Sequence, residues 1–306
     1  MTVQLLLALV PIALLIALGW WLRQRAFLSE HFWPQAERLG YYILLPALFL
    51  HGLASAQLDG VPVAAMVTTL IVSLLVVSAL LVLLRHRLPV GDAAFTSVFQ
   101  GGVRFNNYVG ASVAVGLFGA QGIALAAVAT ATIVPTVNIL CVLVFARYGS
   151  IQSPSLLHLL RHLFTNPLVV GCFIGIVLHV SGLGMPAGIG PALKALGQAS
   201  LPLGLLCVGA ALDFSTLRSW LRPVAIASVA KFLVLPLATL AACRVFGLQG
   251  PAAIAALMFQ ALPTASSSYI MARQLGGDAP LMAGIIATQT VLAALALPLA
   301  VMAALA

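Results

Sequence analysis

The chain has 306 residues, of which 62% are hydrophobic and only 7% are charged, against about 45–50% apolar and about 25% charged residues in soluble domains. This composition excludes a soluble protein and makes the lipid bilayer the expected environment. The net charge of +8 does not indicate a nucleic-acid partner, because the Lys and Arg residues stand singly or in pairs between apolar blocks and form no basic stripe.

Apolar stretches of about 17–25 residues, the length that crosses the hydrocarbon core of a bilayer, predict ten membrane-spanning helices. In chain order, spans 1 to 10 are 3–22, 36–57, 62–84, 92–118, 121–147, 166–182, 191–212, 222–246, 250–274 and 279–304. The first span is expected to be retained, because Arg23 and Arg25 follow it, whereas basic residues precede the apolar core of a signal peptide. The sequence therefore predicts an all-α polytopic membrane protein.

The basic residues between the spans predict the orientation of the chain. Loops after odd-numbered spans, with the turns beside them, hold ten basic residues, whereas loops after even-numbered spans hold only Lys194 and Arg244. The ten are Arg23, Arg25, Arg38, Arg85, Arg87, Arg147, Arg161, Arg218, Arg222 and Arg273. Because basic loops remain in the cytoplasm, we expect a multi-pass protein of the cytoplasmic (inner) membrane with both termini outside.

The two halves of the chain repeat similar residues at nearly constant spacing. The matched pairs are Pro46 and Pro202, Gln100 and Gln260, and Tyr108 and Tyr269, at offsets of 156, 160 and 161 residues. Duplication is one explanation, and chance similarity of apolar sequence is the other. Under duplication each half holds five spans, an odd number, so the second repeat is inverted in the membrane. The predicted domains are a first repeat at 1–147, a short cytoplasmic linker at 148–165 and a second repeat at 166–306.

Spans 4 and 9 carry helix-breaking residues at corresponding positions near the centre of the membrane. In span 4, Gly101 and Gly102 lower the helix propensity. The polar residues that follow are Arg104, Asn106, Asn107 and Tyr108. In span 9, Pro263 removes a backbone donor, and the polar residues that follow are Thr264, Ser266 and Ser267. Matching interruptions are typical of a transporter binding site, so these residues are predicted to bind substrate; kinks that only improve packing are the alternative.

Arg104 and Lys231 are the two basic residues at membrane depth, where a charge costs at least about 2.5–3.5 kcal/mol. No Asp or Glu stands deep in any span to pair with them, so the substrate is predicted to supply the missing charge. A guanidinium can bind a carboxylate through two parallel hydrogen bonds, which favours an organic anion. In the structural alternative, either side chain would instead bind carbonyl groups freed where a helix breaks.

Further polar residues at membrane depth extend the predicted site. Asn138 in span 5 and Gln289 in span 10 belong to matching spans and are predicted to flank the substrate. Gln100, Gln260 and Ser267 are candidates for an ion site, in which Na⁺ would lie on freed carbonyl groups beside them.

The sequence contains no nucleophile triad, phosphate-binding loop or metal-ligand spacing, so neither an enzyme nor a cofactor or metal site is predicted. The interpretation is a secondary transporter that is driven by gradients. A Na⁺- or H⁺-coupled symporter is one alternative, and an anion channel or a non-transporting receptor is another.

Segments along the chain resemble bacterial, malate permease-like members of the auxin efflux carrier family. They are the opening segment from Pro11 to Gly19, the turn from Arg23 to Leu28, the span 4 segment from Gly101 to Asn107, the segment from Leu206 to Leu212, and the span 9 segment from Leu262 to Ala265 with the turn from Arg273 to Asp278. The resemblance extends over essentially the whole chain. It implies two inverted five-helix repeats, similar to the fold of sodium/proton antiporters and bile acid symporters, in which the broken spans 4 and 9 cross at the substrate site.

The same resemblance implies a mechanism. Spans 1, 2, 6 and 7 would form a scaffold that forms a homodimer through spans 2 and 7. Spans 3–5 and 8–10 would form a transport domain that moves in elevator fashion and exports a carboxylate anion. Asn106, Asn107 and Pro263 would be the crossover residues, with Asn138 and Gln289 as flanking contacts. The deep carboxylates of the antiporters are missing from this sequence, so the resemblance does not carry over their coupling to Na⁺ or H⁺.

Overall fold

The computed structural model describes residues 2–55, 61–150, 165–183, 185, 188–213 and 220–305. Every regular element within these ranges is helical, and no strand occurs in them. The predicted all-α class is therefore confirmed. Residues 151–164, which make up most of the predicted linker and include Arg161, lie outside the described residues, as does Arg218.

The described part of the chain contains fourteen α-helices. They are α1 Thr2–Gln24, α2 Phe32–Leu39, α3 Leu45–Ala54, α4 Val63–Leu83, α5 Asp92–Val103, α6 Asn107–Phe118, α7 Ala120–Tyr148, α8 Pro167–Val180, α9 Gly190–Ala210, α10 Leu221–Val229, α11 Leu235–Val245, α12 Gly250–Gln260, α13 Ser267–Leu275 and α14 Ala279–Leu305. A π-helical segment, Gly40–Leu44, joins α2 to α3, and another, Ala230–Val234, joins α10 to α11.

Five helical stretches among the described residues are long and apolar enough to cross a membrane. They are Val63–Leu83, Ala120–Tyr148, Gly190–Ala210, Leu221–Val245 and Ala279–Met302. Shorter apolar helices cover Leu9–Gln24, Pro167–Val180 and Gly250–Gln260. Length and composition thus agree with a membrane protein, while the number of ten spans stays a prediction.

Predicted spans 4 and 9 each consist of two helices. In span 4, α5 ends at Val103 and α6 begins at Asn107; between them Arg104 has an extended backbone with φ −75° and ψ 159°. In span 9, α12 ends at Gln260 and α13 begins at Ser267. The interruptions that the glycine pair and Pro263 predict are therefore confirmed.

A proline follows each π-helical segment. Pro46 comes two residues after Gly40–Leu44, and Pro236 comes two residues after Ala230–Val234. A proline lacks the backbone donor and its ring clashes with the carbonyl four residues earlier, which lies inside the π-helical segment in both cases. The wider π turn accommodates that carbonyl, so the helical path continues through both prolines.

The helices pack into two compact units. Unit 1 consists of Met1–Val61, Asn107–Ala131 and His162–Ala211, and it contains α1 to α3, α6, the first part of α7, α8 and α9. Unit 2 consists of Pro62–Asn106, Thr132–Arg161 and Leu212–Ala306, and it contains α4, α5, the rest of α7 and α10 to α14. Two of the boundaries between the units fall inside predicted spans 4 and 5, at Asn106 and Ala131, and the others fall between spans or at the end of span 7.

Small residues set the close helix packing of unit 1. In this unit α1 packs on α9, and α3 packs on both α8 and α9. A Cβ added at Gly19 would overlap the Leu206 carbonyl of α9, and one added at Gly171 would lie 2.9 Å from the Pro46 carbonyl oxygen. Such small residues let helix backbones approach closely in a membrane, so the helices of unit 1 pack closely against one another.

The core of unit 2 is formed by the helices that lead into the interruptions. All residues from Ala94 to Val103 in α5 and from Ala252 to Gln260 in α12 are buried. In this unit α5 packs on α10 and α14, and α12 packs on α4, α11 and α14. Because a helix that is apolar and buried on all sides belongs to a protein interior, both interruptions begin in the core of unit 2.

Candidate functional site

The two helix interruptions meet inside unit 2. The Asn106 backbone N–H donates a 2.8 Å hydrogen bond to the Pro263 carbonyl oxygen. Both groups lie where the chain is not helical, and a buried backbone group without a partner is costly, so the bond stabilises the two non-helical segments together. The structure thus brings the predicted crossover residues Asn106 and Pro263 into direct contact.

Gln289 of α14 links the two interruptions. Its Nε2 donates to the Gly101 carbonyl oxygen at 3.0 Å, and its Oε1 accepts from the Thr264 backbone N–H at 3.0 Å. Its side chain is fully buried, and both ends of its amide are bound to backbone. The sequence predicted Gln289 as a flanking substrate contact; the structure places it as a bridge between the last turn of α5 and the segment before α13.

The predicted hydroxyl residues of span 9 differ in exposure. Thr264 is fully buried, and its Oγ1 lies 3.2 Å from Ser268 Oγ. Ser266 is half-buried and immediately precedes α13, whose first residue is the half-buried Ser267. Ser266 and Ser267 are therefore the more accessible hydroxyl groups beside the crossing.

Arg104 stands between two of the predicted residues. Its Nη1 donates to Asn138 Oδ1 at 3.0 Å, and its Nη2 donates to Ser267 Oγ at 3.3 Å. Among the described residues the ion pairs are Arg23 with Glu30 and Arg85 with Asp92, so no acidic side chain there pairs with Arg104. The structure gathers Arg104, Asn138 and Ser267 into one half-buried cluster, which we call the arginine cluster.

Met271 completes the arginine cluster and was not predicted from the sequence. Its Sδ accepts a hydrogen bond from Arg104 Nη1 at 3.4 Å. Met271 follows Ser267 by four residues on α13, and residues at this spacing share one helix face. Once Ser267 is placed beside Arg104, this spacing is the signal that could have found Met271.

The guanidinium of Arg104 retains hydrogen-bonding capacity. Arginine carries five N–H donors, and the contacts with Asn138, Ser267 and Met271 use only Nη1 and Nη2. Its Nε is buried and has no hydrogen-bond partner among the described residues. The cluster therefore combines a positive charge, uncancelled by any described acid, with an unused donor on the same group.

Asn107 and Tyr108, also predicted to bind substrate, belong to unit 1. Asn107 Oδ1 accepts a 3.2 Å hydrogen bond from Thr130 Oγ1. The Tyr108 side chain is buried and packs against Gly204 of α9, and its hydroxyl oxygen lies 2.6 Å from the position of a Cβ at Gly40. Within unit 1 these two residues pack α6 against its neighbours.

Lys231 lies apart from the arginine cluster's hydrogen bonds. It is fully buried in the π-helical segment Ala230–Val234, which packs on α5, and its Nζ has no hydrogen-bond partner among the described residues. A buried group of this kind is costly. The structure therefore isolates the second deep cation instead of placing it beside Asn138 or Ser267.

The two glutamines predicted for an ion site have different surroundings. Gln260 Nε2 donates to the Leu70 carbonyl oxygen at 3.3 Å and to Ser73 Oγ at 3.0 Å. Gln100 is fully buried, and its amide has no hydrogen-bond partner among the described residues. The two oxygens beside Gln260, the Leu70 carbonyl and Ser73 Oγ, thus already accept hydrogen bonds from its amide. Within the described residues, no group of three His, Cys, Asp or Glu side chains could hold a metal ion.

A polar crossing that carries a cation in the core of an apolar helical bundle is the arrangement expected of a membrane carrier. A family model described as "Membrane transport protein" matches residues 4–301. The chain belongs to this family. The family recognition made from the sequence is therefore confirmed, and the interruptions described above lie well inside the matched region of the transport protein.

A curated relative of this membrane transport protein agrees with the family match. It is an "Uncharacterized transporter" of Methanothermobacter thermautotrophicus, 23% identical over 298 residues, and the similarity covers 94% of each chain. The likeness therefore extends over both units rather than over a single segment.

The geometry limits what the crossing of this transport protein can do chemically. The arginine cluster offers a guanidinium held by an amide, a hydroxyl and a thioether, and such neutral partners orient a charge without cancelling it. A ligand with a negative group would complete the electrostatics of this cluster, whereas a cationic ligand would be repelled by it.

Proposed function

We propose that this membrane transport protein is a secondary transporter that moves an organic carboxylate anion across the cytoplasmic membrane, in the direction of export. The observation that carries the proposal is the arginine cluster, in which the Arg104 guanidinium is hydrogen-bonded by Asn138 and Ser267 and meets no described acid. The substrate carboxylate is the counter-charge of Arg104. The more accessible Ser266 lies on the adjoining segment and contacts the substrate, while the buried Thr264 supports that segment.

The energetics favour an anion at this position. A charged side chain at membrane depth costs at least about 2.5–3.5 kcal/mol, and an opposite charge within hydrogen-bonding distance offsets that cost. Arg104 has the planar fork that binds both oxygens of a carboxylate. A substrate that brings this group gains binding free energy that an uncharged analogue lacks, which gives the carrier its selectivity.

The membrane potential is sufficient to drive export. With the cytoplasm negative, a monoanion that moves outward gains about 2.3 kcal/mol per 100 mV. No coupled cation is required for such a cycle. Direction and driving force thus follow from the charge of the substrate.

The proposed architecture is ten spans in two inverted five-helix repeats, with both termini outside. Scaffold spans 1, 2, 6 and 7 form a homodimer through spans 2 and 7, and spans 3–5 and 8–10 carry the substrate in elevator fashion. The support is the matched residue pairs of the two halves, the loop charges and the paired interruptions at Arg104 and Pro263.

The test is uptake of radiolabelled carboxylates into proteoliposomes of the purified protein under imposed potentials. The panel contains malate, a short monocarboxylate and an aromatic acid, and the variant is Arg104→Ala. We expect saturable, potential-driven flux of at least one acid, which falls at least about tenfold in Arg104→Ala because the charge-assisted bond is lost.

The matched control is Arg273→Gln, which removes an exposed arginine from α13 and leaves the arginine cluster intact. Its flux should equal that of the unchanged protein. Equal flux in Arg104→Ala would refute the role of Arg104. Flux that does not saturate would indicate a channel, and absence of flux under every gradient would indicate a receptor.

A coupled symporter is the second candidate, and Lys231 is the observation in its favour. Lys231 is a fully buried amine without a described partner, and in a symporter it would bind a proton in one conformation and release it in another. Carboxylate flux that follows an imposed pH gradient at zero potential, and that loses this dependence in Lys231→Met, would support H⁺ coupling. Flux that follows an imposed Na⁺ gradient would support Na⁺ coupling.

A further inference from the structure

Unit 1 contains a cavity of about 730 Å³ between the end of α3, the beginning of α7 and the first turns of α9. Every residue that lines it belongs to unit 1. A volume of this size lies within the range of about 300–1,000 Å³ that is typical of small-molecule sites. The cavity shares no lining residue with the arginine cluster, so it is a separate candidate site.

The polar wall of the cavity is suited to an anion. It carries the Lys194 ammonium, the His51 imidazole and the amides of Gln121 and Gln198. Lys194 and Gln198 are four residues apart on α9 and therefore share one helix face. Among the described residues that line the cavity none is acidic, so no described carboxylate competes for the positive charge of Lys194.

The apolar part of the cavity lining is closely packed. Leu48 of α3 and Ile123 of α7 belong to it. A Cβ added at Gly197 would lie 2.9 Å from the Leu48 Cα, and one added at Gly52 would overlap Ile123. At these glycines α3 packs closely on α7 and on α9 beside the cavity, so helix packing holds Leu48 and Ile123 in place.

We infer that this cavity is a second anion-binding site, which takes a small organic acid with an apolar portion. Lys194 binds the acidic group, the amides of Gln121 and Gln198 donate to its oxygens, and the apolar portion lies against Leu48 and Ile123. The inference does not require that the protein transports anything. On the proposed orientation, the end of span 2 and the beginnings of spans 5 and 7 all lie outside, so this is an external site.

The same chemistry could come from a free carboxylate or from an acidic lipid head group. The first experiment therefore uses Arg104→Ala protein in nanodiscs of zwitterionic lipid, where the arginine cluster is disabled and no acidic lipid is present. Equilibrium binding of radiolabelled benzoate, hexanoate and malate is then measured on the full chain.

We expect saturable binding of benzoate or hexanoate in Arg104→Ala, weakened roughly tenfold when Lys194→Gln is added, because a charge-assisted hydrogen bond is lost. The matched control adds Arg244→Gln instead, which removes the other basic residue of the even-numbered loops and does not line the cavity. That control should bind as Arg104→Ala does. Absence of saturable binding by all three acids, or equal binding with Lys194→Gln, would overturn the inference.

A second measurement keeps the inference testable if Lys194→Gln does not fold. Ser55→Cys places a thiol at the cavity, while Cys141, Cys172, Cys207 and Cys243 are buried. Benzoate should slow the reaction of this thiol with a methanethiosulfonate several-fold. The control Ser181→Cys, an exposed position at the end of α8 that does not line the cavity, should react at the same rate with and without benzoate.

The same thiol measurement, repeated with acidic lipid in the nanodisc, distinguishes a free carboxylate from a lipid head group as the bound anion. If acidic lipid added to the nanodisc slows the reaction at Ser55→Cys and benzoate does not, the anion site stands and its occupant is a lipid head group. If neither slows it, the cavity does not bind anions and the inference fails. Either result leaves the transport test of Arg104 unaffected, because that test measures flux.

Discussion

Arg104 is held in place by neutral groups, among them the Asn138 amide, the Ser267 hydroxyl and the Met271 thioether. A carboxylate in any of these positions would fix the guanidinium equally well but would also cancel its charge. Neutral partners leave the charge available to a ligand while they restrict its position. The identity of Asn138 is therefore a sensitive test of whether the charge of Arg104 is used for binding.

Asn138→Asp is expected to raise the half-saturating carboxylate concentration by at least about tenfold. The new carboxylate has nearly the size of the amide and lies 3.0 Å from Arg104 Nη1, so it pairs with the guanidinium and competes with the substrate. Concentration-dependent uptake in proteoliposomes measures the effect. Asn138→Ala removes the same contact without adding charge and should have the smaller effect; equal effects of the two substitutions would contradict this use of the Arg104 charge.

Lys231→Met is expected to leave thermal stability unchanged or to raise it. Methionine has a similar length and no amine, so the substitution removes a buried polar group without a described partner, which is costly to bury. Melting in detergent, followed by the loss of monodisperse protein, gives the comparison. A marked loss of stability would mean that the Lys231 amine has a bound partner in the membrane.

At the scale of helices, the interruptions are held together by backbone and by one amide. Gln289 satisfies the Gly101 carbonyl and the Thr264 N–H at once, and the Asn106 N–H reaches the Pro263 carbonyl. These bonds replace those that two continuous helices would have made. The crossing can therefore persist in the core of unit 2 without a ligand, and Gln289 stabilises it at both helices.

Gln289→Leu is expected to destabilise the protein by about 2–6 kcal/mol, because two buried backbone groups lose their partner at about 1–3 kcal/mol each. The matched control is Thr288→Val at the preceding position, whose hydroxyl has no hydrogen-bond partner among the described residues. Denaturation of both variants in mixed micelles measures the difference. Equal stability of the two variants would show that Gln289 does not bridge the interruptions.

The sequence predicts the local backbone features of this protein well. Gly101, Gly102 and Pro263 weaken a helix by their own backbone chemistry, so the interruptions could be located without a structure. The approach of Met271 to Arg104 depends on how α13 packs, and its spacing from Ser267 becomes a signal only once Ser267 is known to lie beside Arg104. Two boundaries of the units, at Asn106 and Ala131, lie inside spans that hydropathy treats as single elements, so these two boundaries were not predicted.

At the scale of the molecule, the sequence makes one prediction that a single experiment can decide. The count of ten spans and the loop charges together require both termini to lie outside, whereas any odd number of spans would put them on opposite sides. The inverted repeat depends on the same count, because only an odd number of spans per half inverts the second copy. Orientation is therefore the point at which the proposed architecture is most easily refuted.

Fusions to alkaline phosphatase, active only outside the cytoplasm, and to green fluorescent protein, fluorescent only inside, test the orientation at each terminus. We expect active phosphatase and no fluorescence at both ends. A fusion within the predicted linker at 148–165 should give the reverse result, because Arg147 and Arg161 hold that loop inside. Opposite results at the two termini would refute the ten-span count and, with it, the inverted repeat. The contact between Asn106 and Pro263 would then have to be explained by a different topology.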